Sequence, residues 1–177
     1  MKTYTSLRDF VENPRFEEQR RDALGHLDLG SLDTPIVDVI EDFRQLDYCF
    51  TLQSCYGHFL HDLQVDLKNT EPLPHTEQIS EINYRIAYLA LCIRDDERGR
   101  QLLMDLGKIP SIDSAYIQLG CADWFWAKQI NSFVMQVEPE RFKTKDEVMI
   151  GYQEAIRIEQ TRNRFFDALG ACVRNRR

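Results

Sequence analysis

The chain has no pair of cysteines spaced CxxC, no glycine-rich phosphate loop and no long apolar run, and each absence removes a class of function. Five cysteines stand at 49, 55, 92, 121 and 172, and their odd number and wide spacing suit free thiols better than a disulfide framework or a structural zinc site. Nothing matches GxGxxG or GxxxxGK[ST], so neither nucleotide-cradling loop is present. No stretch approaches the ~20 apolar residues of a membrane span, and no membrane partner is expected. Cations are also scarce: 22 Lys and Arg against 29 Asp and Glu leave a net charge of −7. That balance argues against a general nucleic-acid binder, which presents a basic patch or stripe. Met1 to Asp9 lacks the apolar core of a signal peptide, which makes a cytoplasmic location the expectation. There are no internal repeats and no linker long enough to divide the chain.

What is present describes one domain over residues 1–177. Hydrophobic content of 43% with 11% aromatics is that of a globular protein, and a domain of this length buries roughly 70% of the surface its unfolded chain exposes. Residues 1–26 read as a helical N-terminal segment, starting near Ser6 with Asp9 as its capping-box partner and restarting at Asn13-Pro14. Thr34-Pro35 opens a second helix whose Ile36, Val39, Ile40, Phe43 and Leu46 recur at helical spacing. Tyr48 to Gln53 alternates as a strand, and Phe59 to Leu67 alternates as a second one folding back on it. A short helical turn is expected around Thr76 to Glu81. Ile86 to Ile93 is almost wholly apolar, as a central strand buried on both faces would be. Asp95 or Asp96 caps a helix ending at Gly107. Tyr116 to Cys121 and Phe133 to Val137 read as further strands, while Asp123 to Lys128 is open between strand and helix. A long C-terminal helix spans 145–173, starting at Thr144 or Asp146. The expected fold is α/β or α+β: a mixed sheet of about five strands with helices packed against it.

Chemistry concentrates where the first strand stops alternating. Gln53, Ser54, Cys55, Tyr56 and His58 crowd around Gly57, within one turn of chain. Cys55 beside Ser54 and His58 has the makings of a thiol nucleophile, although a small packing cysteine is the plainer reading. His58 and His61 could hold a metal with Asp62 or Cys55, but the two histidines fall on different elements, so the reading taken is a hydrogen-bonded histidine and no metal. A second cluster lies on the C-terminal helix, where Glu159, Arg162 and Asn163 interrupt an apolar stripe of Val148, Met149, Tyr152, Ala155, Ile156, Phe166 and Leu169. Either Glu159 and Arg162 pair internally at i, i+3 or bond loop backbone, or this face lines a ligand cavity. Trp124 and Trp126 are core aromatics or a stacking platform for a heterocycle. Glu138 closes a strand, a favoured place for ligand contacts.

Two of these stretches resemble the Tyw3 family of wybutosine-synthesis proteins. Asp28, Gly30, Asp33, Pro35 and Ile36 match its connector and helix start, and Asp47-Tyr48, Thr51, Ser54, Cys55 and Gly57 match its aromatic strand and Ser-Ser-Cys-Ser-Gly-Arg turn. Gln53, Tyr56 and His58 stand where the pattern has serine, serine and arginine. The resemblance covers about a quarter of the chain. It implies an S-adenosylmethionine-dependent methyltransferase acting on a tricyclic guanosine derivative beside the anticodon of a tRNA, or on a related heterocycle. It places the cofactor near the Gln53–His58 turn, with Trp124 stacking and Glu138 accepting from adenosine hydroxyls. A histidine at position 58 is expected to be largely uncharged at neutral pH and to lack the arginine's fork. These departures and the acidic balance favour a small-molecule ligand over tRNA. They also leave open a non-enzymatic relative that keeps the fold as a small-ligand or protein-binding module. The residues single out candidate ligand contacts and no catalytic residue.

Overall fold

Proline-bearing turns precede two of the helices, and a side-chain cap opens a third. In the computed structural model, which describes residues 4–142 and 145–176, α1 (Phe16–His26) follows Asn13-Pro14. A 3-10 turn at Thr34–Ile36 leads into α2 (Val37–Arg44). The Asp96 carboxylate accepts the Gly99 N–H and opens α3 (Glu97–Leu106). Asp123–Lys128, open between strand and helix in the sequence, is a short helix, α4. No helix among the described residues is long and apolar enough to cross a membrane.

The strands form two sheets. β1 (Tyr4–Thr5), β2 (Cys49–Cys55), β5 (Ala87–Ile93), β6 (Ile117–Ala122) and β7 (Ser132–Val137) make one, in the order β1-β6-β7-β5-β2. β3 (His58–Leu60), β4 (Glu81–Arg85) and β8 (Glu147–Gly151) make the other, in the order β3-β4-β8. Every ladder is antiparallel rather than mixed. The architecture is therefore α+β, in one domain. Its core is continuous from α2 across β4, β5 and β7 to α5 (Tyr152–Arg174). On the opposite face of the large sheet, Phe16 of α1 meets Phe50 with ring centroids 5.4 Å apart. Phe125 of α4 packs there against Ala90, Ala122 and Val134.

Several expectations are corrected. Residues 6–13 form no helix. The segment is instead tied down by the buried Asn131, whose side chain accepts from the Val11 N–H (2.8 Å) and donates to its carbonyl (2.7 Å). The alternation from Phe59 to Leu67 supports only the three residues of β3, which pairs with β4 and not with β2. Beyond it Leu63, Val65 and Leu67 are exposed, since alternation without a neighbouring strand does not make a sheet. No helical turn forms at Thr76–Glu81. Glu81-Ile82-Asn83-Tyr84-Arg85 is a strand that buries Ile82 and Tyr84 completely. The C-terminal helix starts at Tyr152, later than the expected 145; Thr144 lies outside the described residues, and Asp146 precedes β8. Val148 and Met149 belong to β8, which buries Val148 and exposes Met149.

Candidate functional site

The chain passes from one sheet to the other at two adjacent places. Tyr56-Gly57 carries it from β2 to β3, and Ile86 carries it from β4 to β5. Gly57 has φ +89°, and a Cβ built on it would lie 2.8 Å from the Ala87 Cβ and 3.0 Å from the Ala87 nitrogen. Glycine is thus required twice, for the backbone angle and for the close approach of the two crossings. Tyr84 locks the second crossing: its buried hydroxyl donates to the Val137 carbonyl (2.8 Å) and accepts the Ala87 N–H (2.9 Å).

A bulge re-aims β2 just before the junction. Its register on β5 jumps from Thr51↔Leu91 to Gln53↔Ala90, leaving Leu52 as the extra residue. The following Gln53, Ser54 and Cys55 border a cleft of about 610 Å³ at the corner of the two sheets. The connector (Ser31, Leu32, Asp33), the second crossing (Arg85, Ile86, Tyr88), His58, Trp124 and Asp146 complete its lining. A neighbouring hollow of about 420 Å³ shares Ser31, Leu32, Gln53 and Ser54 with it.

The polar centre of the cleft is Asp33, Cys55 and His58. Asp33 does not cap the helix it precedes. Its carboxylate instead accepts the Tyr56 N–H (2.8 Å) and stands 3.2 Å from His58 Nε2. His58 Nδ1 is 3.2 Å from the Asn69 carbonyl, an acceptor only, so Nδ1 carries a hydrogen. Nε2 faces an ionised carboxylate, also an acceptor only, so it carries a hydrogen as well. The ring is therefore an imidazolium. Its hydrogen bonds to Asp33 and Cys55 outweigh the cost of burial and push its pKa up to about 10. Burial opposes ionisation of Asp33, but the bonds from His58 and the Tyr56 amide prevail and hold the carboxyl below its ordinary value. The expectation of an uncharged His58 is thus overturned: the position keeps a positive charge, though not a forked one. Both ring nitrogens are engaged, so His58 has no lone pair with which to deprotonate Cys55 as a general base would. Cys55 Sγ lies 3.4 Å from the Gly57 N–H, which points at it.

Of the residues singled out from sequence, Gln53, Ser54, Cys55, His58 and Trp124 share the cleft. Trp124 is 45% exposed, with Lys128 Nζ 3.8 Å from its ring centroid. Tyr56 and Gly57 lie behind the wall. The Tyr56 hydroxyl donates to Asn163 (2.8 Å), and the buried Arg162 guanidinium sits 3.9 Å from the Tyr56 ring and donates to the Gly57 carbonyl (2.9 Å). Glu159 accepts the Leu73 N–H (2.8 Å) and stands 3.8 Å from Arg162. Internal pairing together with loop-backbone bonding thus accounts for the polar interruption of α5, and this face does not line the cleft. Glu138 is fully buried near the end of β7, accepting from Gln136 Nε2 (2.9 Å), also away from the cleft. In the sequence Asp33 reads only as part of the connector and helix start, Tyr88 as part of a buried strand and Asp146 as a possible helix start, and none of them, nor Arg85, reads as a site residue. The alternation through Arg85 is a usable signal for that strand; nothing local places Asp146 at the cleft.

No family model and no curated protein matches the sequence. The fold is similar to that of the PH1069 protein from Pyrococcus horikoshii, with a TM-score of 0.53 at 12% identity over 89% of this chain and 93% of that one. The likeness concerns the fold alone.

Proposed function

We propose that the corner cleft binds S-adenosylmethionine and that the protein is a Tyw3-like methyltransferase acting on a heterocyclic nitrogen, in a modified tRNA base or a related small molecule. One observation carries the reading. The two stretches that resemble the family, the connector ending at Asp33 and the turn at Ser54-Cys55, are separated in sequence yet meet in the lining of one cleft, where the Asp33 carboxylate accepts the Tyr56 N–H (2.8 Å). The volume of about 610 Å³ lies within the range of small-molecule sites. Its chemistry fits the cofactor. Trp124 and Tyr88 bring aromatic rings to the cleft for an adenine, and the Arg85 guanidinium, whose Nε already pairs with Glu147 (3.0 Å), would partner the cofactor's carboxylate through its remaining N–H groups. Asp33 is paired with the His58 imidazolium, so Asp146 gives the cleft the negative charge that suits a sulfonium. The cofactor, when bound, would supply an electrophilic methyl group. The work of the chain is to orient that group toward the acceptor and to exclude water, a contribution of proximity. Arg85 also restores, from the strand paired with His58, the guanidinium that the turn lacks: His58 and Arg85 are opposite one another in the β3–β4 ladder.

A second reading, a binding module without transfer, is favoured by the way the turn's polar groups already bond one another. Calorimetry with S-adenosylmethionine and with its demethylated product separates these from a protein without the site. The expected result is a dissociation constant in the micromolar range, about −8 kcal/mol, weakened by Trp124→Ala and by Arg85→Ala. No heat with either compound at high protein concentration would reject the cofactor. Binding without methyl transfer to any heterocycle offered would leave the module.

A further inference from the structure

The geometry points to a mononuclear zinc site made by Cys55 Sγ, His58 Nε2 and the Asp33 carboxylate, with its fourth position open to the corner cleft. Three kinds of ligand from three chain positions converge there. One ligand atom from each lies within 4.8 Å of the other two, with Nε2 and Oδ2 at 3.2 Å. Ligand atoms of a tetrahedral zinc stand about 3.4–3.6 Å apart, from its bond lengths. The imidazole and carboxylate atoms are thus near the spacing of a coordination shell, and the thiol lies within 4.8 Å of both.

The surroundings carry the inference further than the spacing. Ligands of a metal are oriented by hydrogen bonds from outside the shell, and each of these three has one of the right sense. His58 Nδ1 meets the Asn69 carbonyl (3.2 Å), which turns Nε2 inward. The Tyr56 N–H is donated to the Asp33 carboxylate (2.8 Å). The Gly57 N–H points at Cys55 Sγ (3.4 Å), a contact that stabilises sulfur as it gains negative charge. A thiol, an imidazole and a carboxylate together suit zinc among common divalent ions. All three ligands border the cleft, so a water or a substrate atom can complete the tetrahedron, as in zinc sites that act as Lewis acids. Metal ligands bind in their deprotonated forms, so loading releases protons.

The test uses the full chain, stripped with a chelator and titrated with zinc sulfate against a chromophoric competitor, and in parallel with cobalt chloride. The expected result is one zinc per chain with release of protons to the buffer, and a thiolate-to-cobalt charge-transfer band in the cobalt protein. Cys55→Ser, nearly isosteric, should lose that band and weaken zinc at least about tenfold. Cys172→Ser, which alters the other half-buried thiol, should change neither. Absence of stoichiometric binding, or zinc affinity unaltered in Cys55→Ser, would overturn the proposal. So would a cobalt spectrum with no thiolate band, a readout on the unmutated protein that does not depend on the folding of any variant. The titration contains no S-adenosylmethionine, so its failure is distinct from failure of the cofactor reading.

Discussion

Gly57→Ala tests the claim that the cleft exists because two sheet crossings are pressed together. At φ +89° a side chain is strained whatever the surrounding space, and the left-handed region costs a non-glycine residue about 1–2 kcal/mol. The added methyl would also stand 2.8 Å from the Ala87 Cβ and 3.0 Å from the Ala87 nitrogen. The second neighbour is backbone locked by Tyr84 and cannot swing aside, so an overpacking cost of about 1–3 kcal/mol is added. The expected loss is about 3 kcal/mol in urea unfolding, or about 6–12 °C in Tm for a chain of this length. Gly25→Ala is the control. Nothing lies within 4 Å of a Cβ there, inside α1, and the change should stabilise by up to about 1 kcal/mol through helix propensity. Combining Gly57→Ala with Ala87→Gly removes the methyl–methyl contact but not the backbone strain, so a double-mutant cycle should show coupling of about 1 kcal/mol. A Gly57→Ala loss below about 1 kcal/mol, or additive effects with Ala87→Gly, would refute the close approach.

Three further outcomes are expected. In the metal-free protein the raised pKa of His58 contributes stability that is full below the imidazole's ordinary 6.5 and is lost as pH rises toward about 10. At about 1.4 kcal/mol per pKa unit this amounts to a few kcal/mol, and urea unfolding between pH 6 and 10 should show the decline in the native chain and a flatter profile in His58→Gln. Arg162→Ala should cost about 3 kcal/mol, because it removes the guanidinium from the Gly57 carbonyl and leaves Glu159, largely buried, without its cation; thermal unfolding measures it, and a change within about 0.5 kcal/mol would show that Arg162 does not brace the turn. In the cofactor titration, Glu138→Gln should leave binding unaltered, since Glu138 lies outside the cleft, whereas Trp124→Ala should weaken it.

Sequence alone determined what depends on neighbours along the chain. Asn13-Pro14, Thr34-Pro35 and Asp96 mark helix starts because the fixed φ of proline and, at Asp96 alone, a side-chain cap act within one turn. The apolar run of β5 announces a strand buried on both faces because it is apolar throughout yet too short for a buried helix. The crowding around Gly57 is likewise visible as composition. Tertiary structure decided the rest, because strand pairing and charge state are set by groups distant in sequence. Glu81–Arg85 and Glu147–Gly151 are strands because they pair with each other across some sixty residues. Leu63, Val65 and Leu67 alternate equally well and stay exposed because no strand lies beside them. Asp33 sits where a helix cap would, yet its carboxylate turns to the Tyr56 amide and His58, more than twenty residues on. That encounter, with the Asn69 carbonyl on the other side of the ring, makes a cation of a histidine that in isolation would be mostly neutral.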